Sequence, residues 1–592
     1  MDLVYDIETD DVQATKVWCI VAQDADSGQI YKFAPHQLES ALELLQKADT
    51  LIGHNVIGFD IPVVHRLLGV DLSNIKVIDT LALSRLFNPS REGGHSLGMW
   101  GYRLKFPKHD FSEYERYSKE MLDYCVRDVQ LNTLVYEKLK EESVGFSEES
   151  VEIEQEVSKI LKQQEENGFL FNTYQATMLS ADLREKMQNA EDEVHKVFKP
   201  KLVDVREVIP YIKKDGTLSK RGLTEEEYEK VFSDILLQQP EKNDDGEWIT
   251  PTPKPFMRKK LQDFNLGSRK QIGEYLQDFG WKPQDFTPTG QPIVDERRLS
   301  KIDNIPEVKL IADYLLLQKR IALIDSWISA VADDNRIHGF VISTGAITGR
   351  MSARNPNTQQ IPSLKSPYGK ECRSCWIVPD GYRLVGIDAS GLELRMLAHY
   401  MKDDEFTQEI IYGDIHKRNQ ETAGLQSRNQ AKTFIYALLY GAGDKKIGQV
   451  VGGSSNDGKR LKEHFFANNP AFRRLRERVS KASGKGFLKG LDGRKIYIRH
   501  PHASLNSLLQ GAGAVVMKKA LMLLNDKATK EKLDFKFVAN VHDEWQVEVV
   551  EKDVETFGSL AVQAIKDAGD YFNMECPLDA EYKVGDNWSE TH

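Results

Sequence analysis

The chain has 592 residues, of which 40% are hydrophobic and 29% are charged, and its formal net charge is −11. This length is several times that of one hydrophobic core, so we expect three or more structural units. The acidic balance argues mildly against a polyanionic partner, so any nucleic-acid path must be local. A signal-like start and an apolar run of about eighteen residues are both missing, which argues against secretion and a membrane.

The cysteines indicate the compartment. Five occur, at positions 19, 125, 372, 375 and 576. So few cysteines fit a reducing compartment better than a disulfide framework, and we expect a cytoplasmic location. Cys372 and Cys375 form a single C-x-x-C without a second pair or nearby histidines, so the sequence does not predict a structural zinc site.

Hydrophobic patterns divide the chain into three parts. In the first ~145 residues, short β-rich runs (Leu3–Ile7, Trp18–Ala22, Thr50–Ile52) alternate with helical patterns, as in an α/β unit. Apolar residues then recur mainly at helical spacing up to about residue 332. Within this part, residues 202–263 contain five prolines and the polar run Glu241–Glu247, and they have the composition of an insertion. The last ~255 residues mix strands and long helices.

Near the N-terminus, carboxylates recur in a pattern that suits a metal site. Asp6 and Glu8 lie on the same face of a predicted strand, a pattern that an exposed strand also explains. Asp60 follows the next predicted strand, and Tyr124 precedes Asp128 by one helical turn. Four carboxylates could hold two divalent ions about 4 Å apart, which would activate water for phosphodiester cleavage with Tyr124 orienting that water.

This constellation resembles the DEDDy-type 3′→5′ exonucleases. Their three motifs have the forms seen at Asp6-x-Glu8, Asn55 to Asp60 and Tyr124 to Asp128. The resemblance implies an RNase H-like exonuclease domain over residues 1–145, with the four carboxylates as metal ligands. The alternative is a relic that has kept its carboxylates without turnover.

A second constellation lies in the C-terminal part. Arg428, Lys432, Tyr436 and Tyr440 are four residues apart and form one stripe down a predicted helix. Two cations and two aromatic rings suit a nucleoside triphosphate, although a solvated helix with two core tyrosines is the alternative.

Two further aspartates lie at strand ends. Asp388 follows the predicted strand Arg383–Ile387, and Asp543 lies in the turn between the predicted strands Phe535–Val541 and Trp545–Val550. Two carboxylates from separate strands could meet across one sheet, as two-metal phosphoryl transfer requires.

These segments resemble the motifs of family A DNA polymerases. Asp388 to Arg395 is similar to motif A, Arg428 to Gly441 to motif B, and His542-Asp543-Glu544 to motif C. Details around Asp414, Lys432 and Arg494 are most similar to the replicative enzymes of T-seven-type short-tailed phages. The resemblance implies an α/β multidomain fold in which the exonuclease domain precedes a right-hand polymerase. Its expected parts are a thumb region over 150–335 with the insertion at about 202–263, a palm over 336–405, fingers over 406–475, and a second palm segment over 476–592.

The resemblance also implies residue roles. Asp388 and Asp543 would bind two Mg²⁺ ions, for which Mn²⁺ can substitute, with the Ala389 carbonyl as a further ligand and Glu544 as an auxiliary carboxylate. Other roles are triphosphate binding by Arg428, Lys432 and His416, base and sugar contact by Tyr436, template stacking by Tyr440, exclusion of ribose by Glu393, and minor-groove contact by Arg350, Asn506, Gln510 and His542. Tyrosine rather than phenylalanine at position 436 implies ready incorporation of dideoxynucleotides.

Implied partners are primer-template DNA and dNTPs, in a host cytoplasm if the chain is phage-encoded. Ten Lys or Arg residues between Arg473 and Arg499 would lie beside template phosphates, although a solvated helix face is the bland alternative. Phage relatives recruit a thioredoxin-like processivity factor at a thumb insertion, so 202–263 is a docking site, a DNA clamp or a disordered linker. A phage helicase-primase is another candidate partner.

Three other functions compete with this interpretation. A degradative nuclease would need only a DNA grip in the C-terminal part. A single-subunit RNA polymerase shares parts of the motifs but would need neither Glu393 nor a proofreading domain. A pure binding module would require none of the metal-competent carboxylates to be intact.

Overall fold

The protein is described from a computed structural model, which describes residues 1–238, 242, 244–246, 252–302 and 304–592. The chain forms two compact units. The first joins Met1–Ala176 with Ser326–His592, and the second is Thr177–Asp325. The predicted thumb range of 150–335 is therefore wider than the second unit at both ends.

The N-terminal part of the first unit is an α/β structure. Its elements are β1 (Asp2–Thr9), β2 (Val17–Asp24), β3 (Ile30–Phe33), α1 (Leu38–Gln46), β4 (Thr50–Gly53), α2 (Asp60–Leu68), β5 (Lys76–Asp79), α3 (Thr80–Phe87), α4 (Leu97–Arg103), α5 (Lys119–Glu142), α6 (Glu148–Asn167) and β6 (Phe169–Leu170). The sheet has the order β3-β2-β1-β4-β5, with β1 antiparallel to β2 and parallel to β4. The three strands predicted in this part lie within β1, β2 and β4, which confirms them.

The two faces of β1 pack against different helices. Tyr5 belongs to a core that includes residues of α1 and α2. Val4 belongs to a core on the opposite face, which includes residues of α5. Because strand side chains alternate, Asp6 and Glu8 share the face of Val4 and therefore lie toward α5.

The second unit is mainly helical. Its elements are α7 (Thr173–Val197), β7 (Lys201–Val208), α8 (Glu225–Leu236), β8 (Phe256–Gln262), α9 (Arg269–Asp278), α10 (Glu296–Leu299) and α11 (Val308–Ile328), the first and last of which extend past its bounds. β7 pairs antiparallel with β8, so the disordered-linker interpretation of 202–263 is wrong for the described residues. Residues 241, 243 and 247 of the polar run Glu241–Glu247, with Pro240 and Pro251, lie outside the described residues.

The C-terminal part of the first unit holds the second large sheet. Its elements are β9 (Arg336–Ile337), β10 (Phe340–Ile342), β11 (Ser352–Arg354), α12 (Gly369–Ser374), β12 (Tyr382–Ala389), α13 (Leu392–Met401), α14 (Asp404–Ile411), α15 (Ile415–Ala423), α16 (Arg428–Leu439), α17 (Asp444–Val450), α18 (Ser455–Asn468), α19 (Pro470–Ala482), β13 (Phe487–Lys489), β14 (Lys495–Tyr497), α20 (Ser504–Lys530), β15 (Phe535–Val541), β16 (Glu544–Val550), α21 (Val554–Tyr571) and β17 (Ala580–Gly585). The sheet has the order β15-β16-β12-β17, and each neighbouring pair is antiparallel. The predicted strands around Asp388 and Asp543 are confirmed.

Helix α20 lies in the core of this part, with most of its side chains buried. In the described residues, the segment Pro501–Lys530 is the one helix long and apolar enough to cross a membrane, and 78% of its most apolar window is buried inside the protein. A core helix of a folded domain has the same length and composition.

Candidate active sites

The N-terminal carboxylates meet between β1 and α5. Asp6 and Glu8 project from β1, and Tyr124 and Asp128 lie one turn apart on α5. Cys125 joins the two elements, since its Sγ atom lies 3.9 Å from Asp6 Oδ2 and 3.5 Å from the Asp6 carbonyl oxygen. Ligand atoms of Asp6, Glu8 and Cys125 lie within 4.8 Å of one another.

Asp60 reaches the same place from another direction. It is the first residue of α2, and its Oδ1 accepts a hydrogen bond from the Ile7 N–H at 3.2 Å, between Asp6 and Glu8. All three predicted motifs therefore meet at β1.

A buried polar pair supports the loop that leads to Asp60. The Asp79 carboxylate accepts hydrogen bonds from the backbone of Asn55 at 3.0 Å and of Ile57 at 3.2 Å. The Asp79 backbone in turn exchanges two hydrogen bonds with the Gln155 side chain of α6, at 2.9 and 3.2 Å. Sequence reasoning missed both residues, because neither belongs to the exonuclease-like motifs.

The electrostatics of this site favour a divalent cation. Burial, followed by the charge of Asp60, raises the pKa of Asp6 well above its usual range. Burial also raises the pKa of Glu8 to about 8 and that of Asp60 to about 7. Asp128 Oδ1 is buried without a hydrogen-bond partner among the described residues. Carboxylate oxygens are the ligands that Mg²⁺ and Mn²⁺ prefer, so this donor set fits such ions.

Lys108 is a further residue of this site. Its ammonium forms an ion pair with Asp128 Oδ2 and lies 4.7 Å from the centre of the Tyr124 ring. The sequence contains no local signal for this contact, because Lys108 lies in the irregular segment between α4 and α5.

The C-terminal aspartates are brought together by strand pairing. In the register of β12 and β16, Asp388 lies opposite Glu544, and the Ala389 N–H donates to the Asp543 carbonyl at 3.1 Å. The turn between β15 and β16 contains His542 with a φ of 61°, a left-handed conformation that histidine adopts more readily than most residues. The predicted meeting of Asp388 and Asp543 at one sheet edge is therefore present.

These two aspartates repel each other. Loss of hydration, then the charges of Asp543 and Glu544, raise the pKa of Asp388 to about 7. Burial likewise raises the pKa of Asp543. Oxygen donors with raised pKa values and no described ion-pair partner fit a divalent cation here too.

The Glu544 carboxylate differs from those of Asp388 and Asp543 in having hydrogen-bond partners that fix it. Its Oε1 accepts hydrogen bonds from Trp588 Nε1 and Gln546 Nε2, both at 2.6 Å, and its Oε2 contacts His592 Nδ1 at 2.7 Å. Burial alone would raise the pKa of Glu544, but the hydrogen bonds from His592 and Trp588 lower it. Glu544 is thus held as a fixed carboxylate, by residues that sequence reasoning missed.

Helix α16 carries the predicted stripe. Its opposite side is buried through Phe434, Ile435 and other apolar residues. The Tyr436 ring lies 6.4 Å from the Tyr440 ring and 6.3 Å from the His416 ring, measured between ring centres. The stripe thus carries stacked aromatic rings at one end and exposed cations at the other.

Two predicted substrate contacts are occupied by side chains of the protein itself. Arg428 Nε donates to Asp414 Oδ2 at 2.6 Å. The Tyr440 hydroxyl donates to the Glu393 carboxylate, whose two oxygens lie 2.9 and 3.0 Å from it, and Arg350 donates to Glu393 at 3.2 Å. Glu393 is therefore fixed in direction by residues of two other segments, one before β11 and one just after α16.

The minor-groove residues come from separate segments. Asn506 and Gln510 lie one turn apart on α20, and both are half-buried where most of their neighbours are buried. Arg350 lies just before β11, and His542 is exposed in the turn that holds Asp543.

One prediction for the basic stretch is wrong. Arg494 does not face solvent, because its guanidinium is buried in an ion cluster with Asp492 at 2.6 Å and Glu154 at 2.6 Å. Lys518 joins the same Glu154 oxygen at 2.5 Å. In contrast, Arg473, Arg476 and Lys481 of α19 are exposed and line a cavity of about 1140 Å³.

One carboxylate near the end of β12 and another in the turn before the adjacent strand β16, beside a helix with a cationic and aromatic stripe, fit metal-assisted phosphoryl transfer. Residues 252–590 match the family model described as DNA polymerase family A. The chain therefore belongs to DNA polymerase family A.

Its full-length relatives include phage enzymes. Over an alignment of 713 positions, the chain is 33% identical to the DNA-directed DNA polymerase of Enterobacteria phage T3, with all of both chains covered. Over an alignment of 717 positions, it is 33% identical to that of Escherichia phage T7, again with full coverage. The resemblance to this branch of family A is confirmed.

A solved structure has the same fold. The POL domain of Pol1 from M. smegmatis, in complex with DNA primer-template and dNTP, superposes with a TM-score of 0.78 at 19% identity. The match covers 100% of this chain and 96% of that one. The polymerase part of the predicted fold class is confirmed.

Proposed function

We propose that this chain is a DNA-directed DNA polymerase that extends a primer at Asp388 and Asp543 and excises 3′-terminal nucleotides at Asp6, Glu8, Asp60 and Asp128. The observation that carries the proposal is the pair of separate carboxylate clusters on separate sheets. Family membership supports the first activity. The second rests on the meeting of all three exonuclease-like motifs at β1.

Both clusters fit divalent cations. Asp388 and Asp543, with the Ala389 carbonyl, would hold the ions at the polymerase site, and the four N-terminal carboxylates would hold those at the exonuclease site. Bound there, two Mg²⁺ or Mn²⁺ ions supply Lewis acidity that activates a hydroxyl or a water and stabilises charge on the leaving oxygen.

Side chains of α16 and its neighbours bind the incoming nucleotide. Arg428 gives up its hydrogen bond to Asp414 and binds the triphosphate, which Lys432 and His416 also contact. Tyr436 offers its ring face to the sugar and base, and Glu393 blocks the 2′ position. Because Tyr440 and Arg350 hold Glu393 in one direction, that block is rigid.

Other groups bind the DNA. Arg350, Asn506, Gln510 and His542 contact minor-groove acceptors at the primer terminus, which are similar for every base pair. The exposed cations that line the cavity beside α19 bind template phosphates, so affinity falls with salt. At the exonuclease site, Tyr124 orients the attacking water.

The phage relatives support a proposal for the biological setting. The chain replicates phage DNA in the host cytoplasm, with a helicase-primase as a candidate partner. The second unit supports a docking site for a thioredoxin-like processivity factor, since Leu202 and Leu261 pair across β7 and β8 with 67% and 60% of their surfaces exposed.

Primer extension tests both activities. A 5′-labelled primer on a longer template is incubated with Mg²⁺, with and without the four dNTPs. We expect Asp543→Ala to degrade but not extend, and Asp6→Ala to extend but not degrade. Asp26→Ala and Asp570→Ala, which replace exposed aspartates of the same unit, serve as matched controls.

Other outcomes point to the competing functions. Shortening of the primer under every condition would favour a degradative nuclease. Extension with ribonucleotides as readily as with deoxynucleotides would favour an RNA polymerase. Binding without either reaction would leave only a binding module.

A further inference from the structure

Lys108 is the cation that faces the N-terminal carboxylates, and it contacts two of the residues assigned to excision. Its ammonium pairs with Asp128 Oδ2 and lies over the Tyr124 ring, 4.7 Å from the ring centre. Its side chain is 27% exposed, so the ammonium is partly withdrawn from water.

The segment that carries Lys108 is anchored on both sides. Before it, the Arg127 guanidinium lies 3.1 Å from the centre of the Phe106 ring, and Arg127 Nε donates to the Pro107 carbonyl at 2.9 Å. After it, the Phe111 ring lies 5.4 Å from the Tyr124 ring. An irregular segment tied down in this way holds its lysine in one place, unlike a surface lysine on a free loop.

The two contacts of Lys108 differ in one respect. Asp128 is a proposed ligand of a divalent cation, so the ion pair and the cation compete for the same carboxylate. The contact with Tyr124 involves no proposed ligand, so a cation does not compete for it. An ammonium over the ring face leaves the Tyr124 hydroxyl free to hydrogen-bond within the site.

We propose that Lys108 is a positioning residue for excision, which acts by holding the Tyr124 ring and with it the place of the Tyr124 hydroxyl. The inference rests on the proposed exonuclease activity. Loss of the ammonium removes this contact and lets the Tyr124 ring shift, so its hydroxyl no longer lies where it orients the attacking water. Outer groups that orient a reacting residue in this way typically contribute about 10- to 100-fold to rate.

A double-mutant cycle tests the inference. Single-turnover degradation of a 5′-labelled single-stranded oligonucleotide with Mg²⁺ is measured for Lys108→Met, Tyr124→Phe and the double variant of the full chain. We expect Lys108→Met to slow the reaction about 10- to 100-fold, and the double variant to be no slower than Tyr124→Phe alone. Lys108→Arg, which keeps the charge and the donors, should recover most of the loss.

Controls separate this effect from misfolding and from metal loss. Primer extension by the same preparations must stay unchanged, and Lys119→Met, an exposed lysine at the start of α5, must behave as the parent. Mn²⁺ binding is measured by EPR, and the bound Mn²⁺ that is missing in Asp6→Ala is assigned to the exonuclease site. At that site, Lys108→Met must bind Mn²⁺ at least as tightly as the parent, because it lacks the competing ammonium.

Several results overturn the inference while excision itself stands. These are a normal rate in Lys108→Met, an effect that multiplies with that of Tyr124→Phe, or weakened Mn²⁺ binding. If instead the parent shows no degradation that depends on Asp6, the proposed exonuclease activity fails, and the Lys108 inference fails with it.

Discussion

Replacing Glu154 by glutamine is expected to destabilise the first unit by about 3 kcal/mol at neutral pH. Glu154 is fully buried on α6, and its Oε1 accepts from Arg494 at 2.6 Å and from Lys518 at 2.5 Å. Burial alone would raise the pKa of Glu154, but Lys518 and Arg494 lower it to about 2 from 4.5. That difference corresponds to about 3 kcal/mol, which is near the range of roughly 3–5 kcal/mol for breaking a buried ion pair.

The pKa of Lys518 shows where the predicted loss of stability arises. Burial lowers the pKa of Lys518 from 10.5 to about 8, even though Glu154 raises it. The ammonium is therefore costly to bury, and most of the predicted loss comes from leaving Lys518 without its carboxylate rather than from the attraction itself. It follows that Glu154→Gln combined with Lys518→Met should recover a large part of the lost stability.

The pH dependence has a definite sign. A carboxyl whose pKa is lowered on folding contributes stability that is complete above its unfolded pKa and is lost as pH falls toward the folded value. For Glu154 this window runs from 4.5 down to about 2. The difference in stability between the parent and Glu154→Gln should therefore shrink through this window.

Urea unfolding followed by tryptophan fluorescence measures the effect, because Trp376 and Trp545 are buried in the same unit. Glu166→Gln, at an exposed position on the same helix, is the matched control and should change stability by less than about 0.5 kcal/mol. An unchanged midpoint for Glu154→Gln, or no recovery with Lys518→Met, would refute the reasoning.

Three further predictions concern the polymerase site. Tyr436→Phe should increase discrimination against dideoxynucleotides roughly tenfold by removing one hydroxyl, and equal incorporation ratios in competitive primer extension would contradict this. Glu393→Ala should admit ribonucleotides roughly tenfold more readily, because it opens the 2′ position. A steady-state comparison of UTP with dTTP measures this selectivity, and an unchanged value would show that Glu393 does not exclude ribose. Since the pKa of Asp388 is raised to about 7, protons compete with the metal below that pH. The Mg²⁺ concentration for half-maximal extension should therefore rise as pH falls from about 8 to about 6, and a flat dependence would argue against this assignment.

Local patterns in the sequence were enough to find the elements that carry the polymerase-like and exonuclease-like motifs. The alternation along β1 puts Asp6 and Glu8 on one face, and the helical period puts Arg428, Lys432 and Tyr436 on one stripe. The turn that presents Asp543 follows from two short strands at the expected spacing. Each of these features depends on residues within one short stretch of the chain, the longest being residues 535–550 around Asp543.

The tertiary structure alone decided which charges are buried and what they touch. Arg494 reads as one more cation in a basic stretch, yet it meets Glu154 across 340 positions of sequence and becomes part of the core. Glu544 owes its fixed carboxylate to His592 and Trp588 in the same way. A side chain's charge is written in the sequence, but its desolvation and its partners depend on long-range packing, and these determine what the charge does.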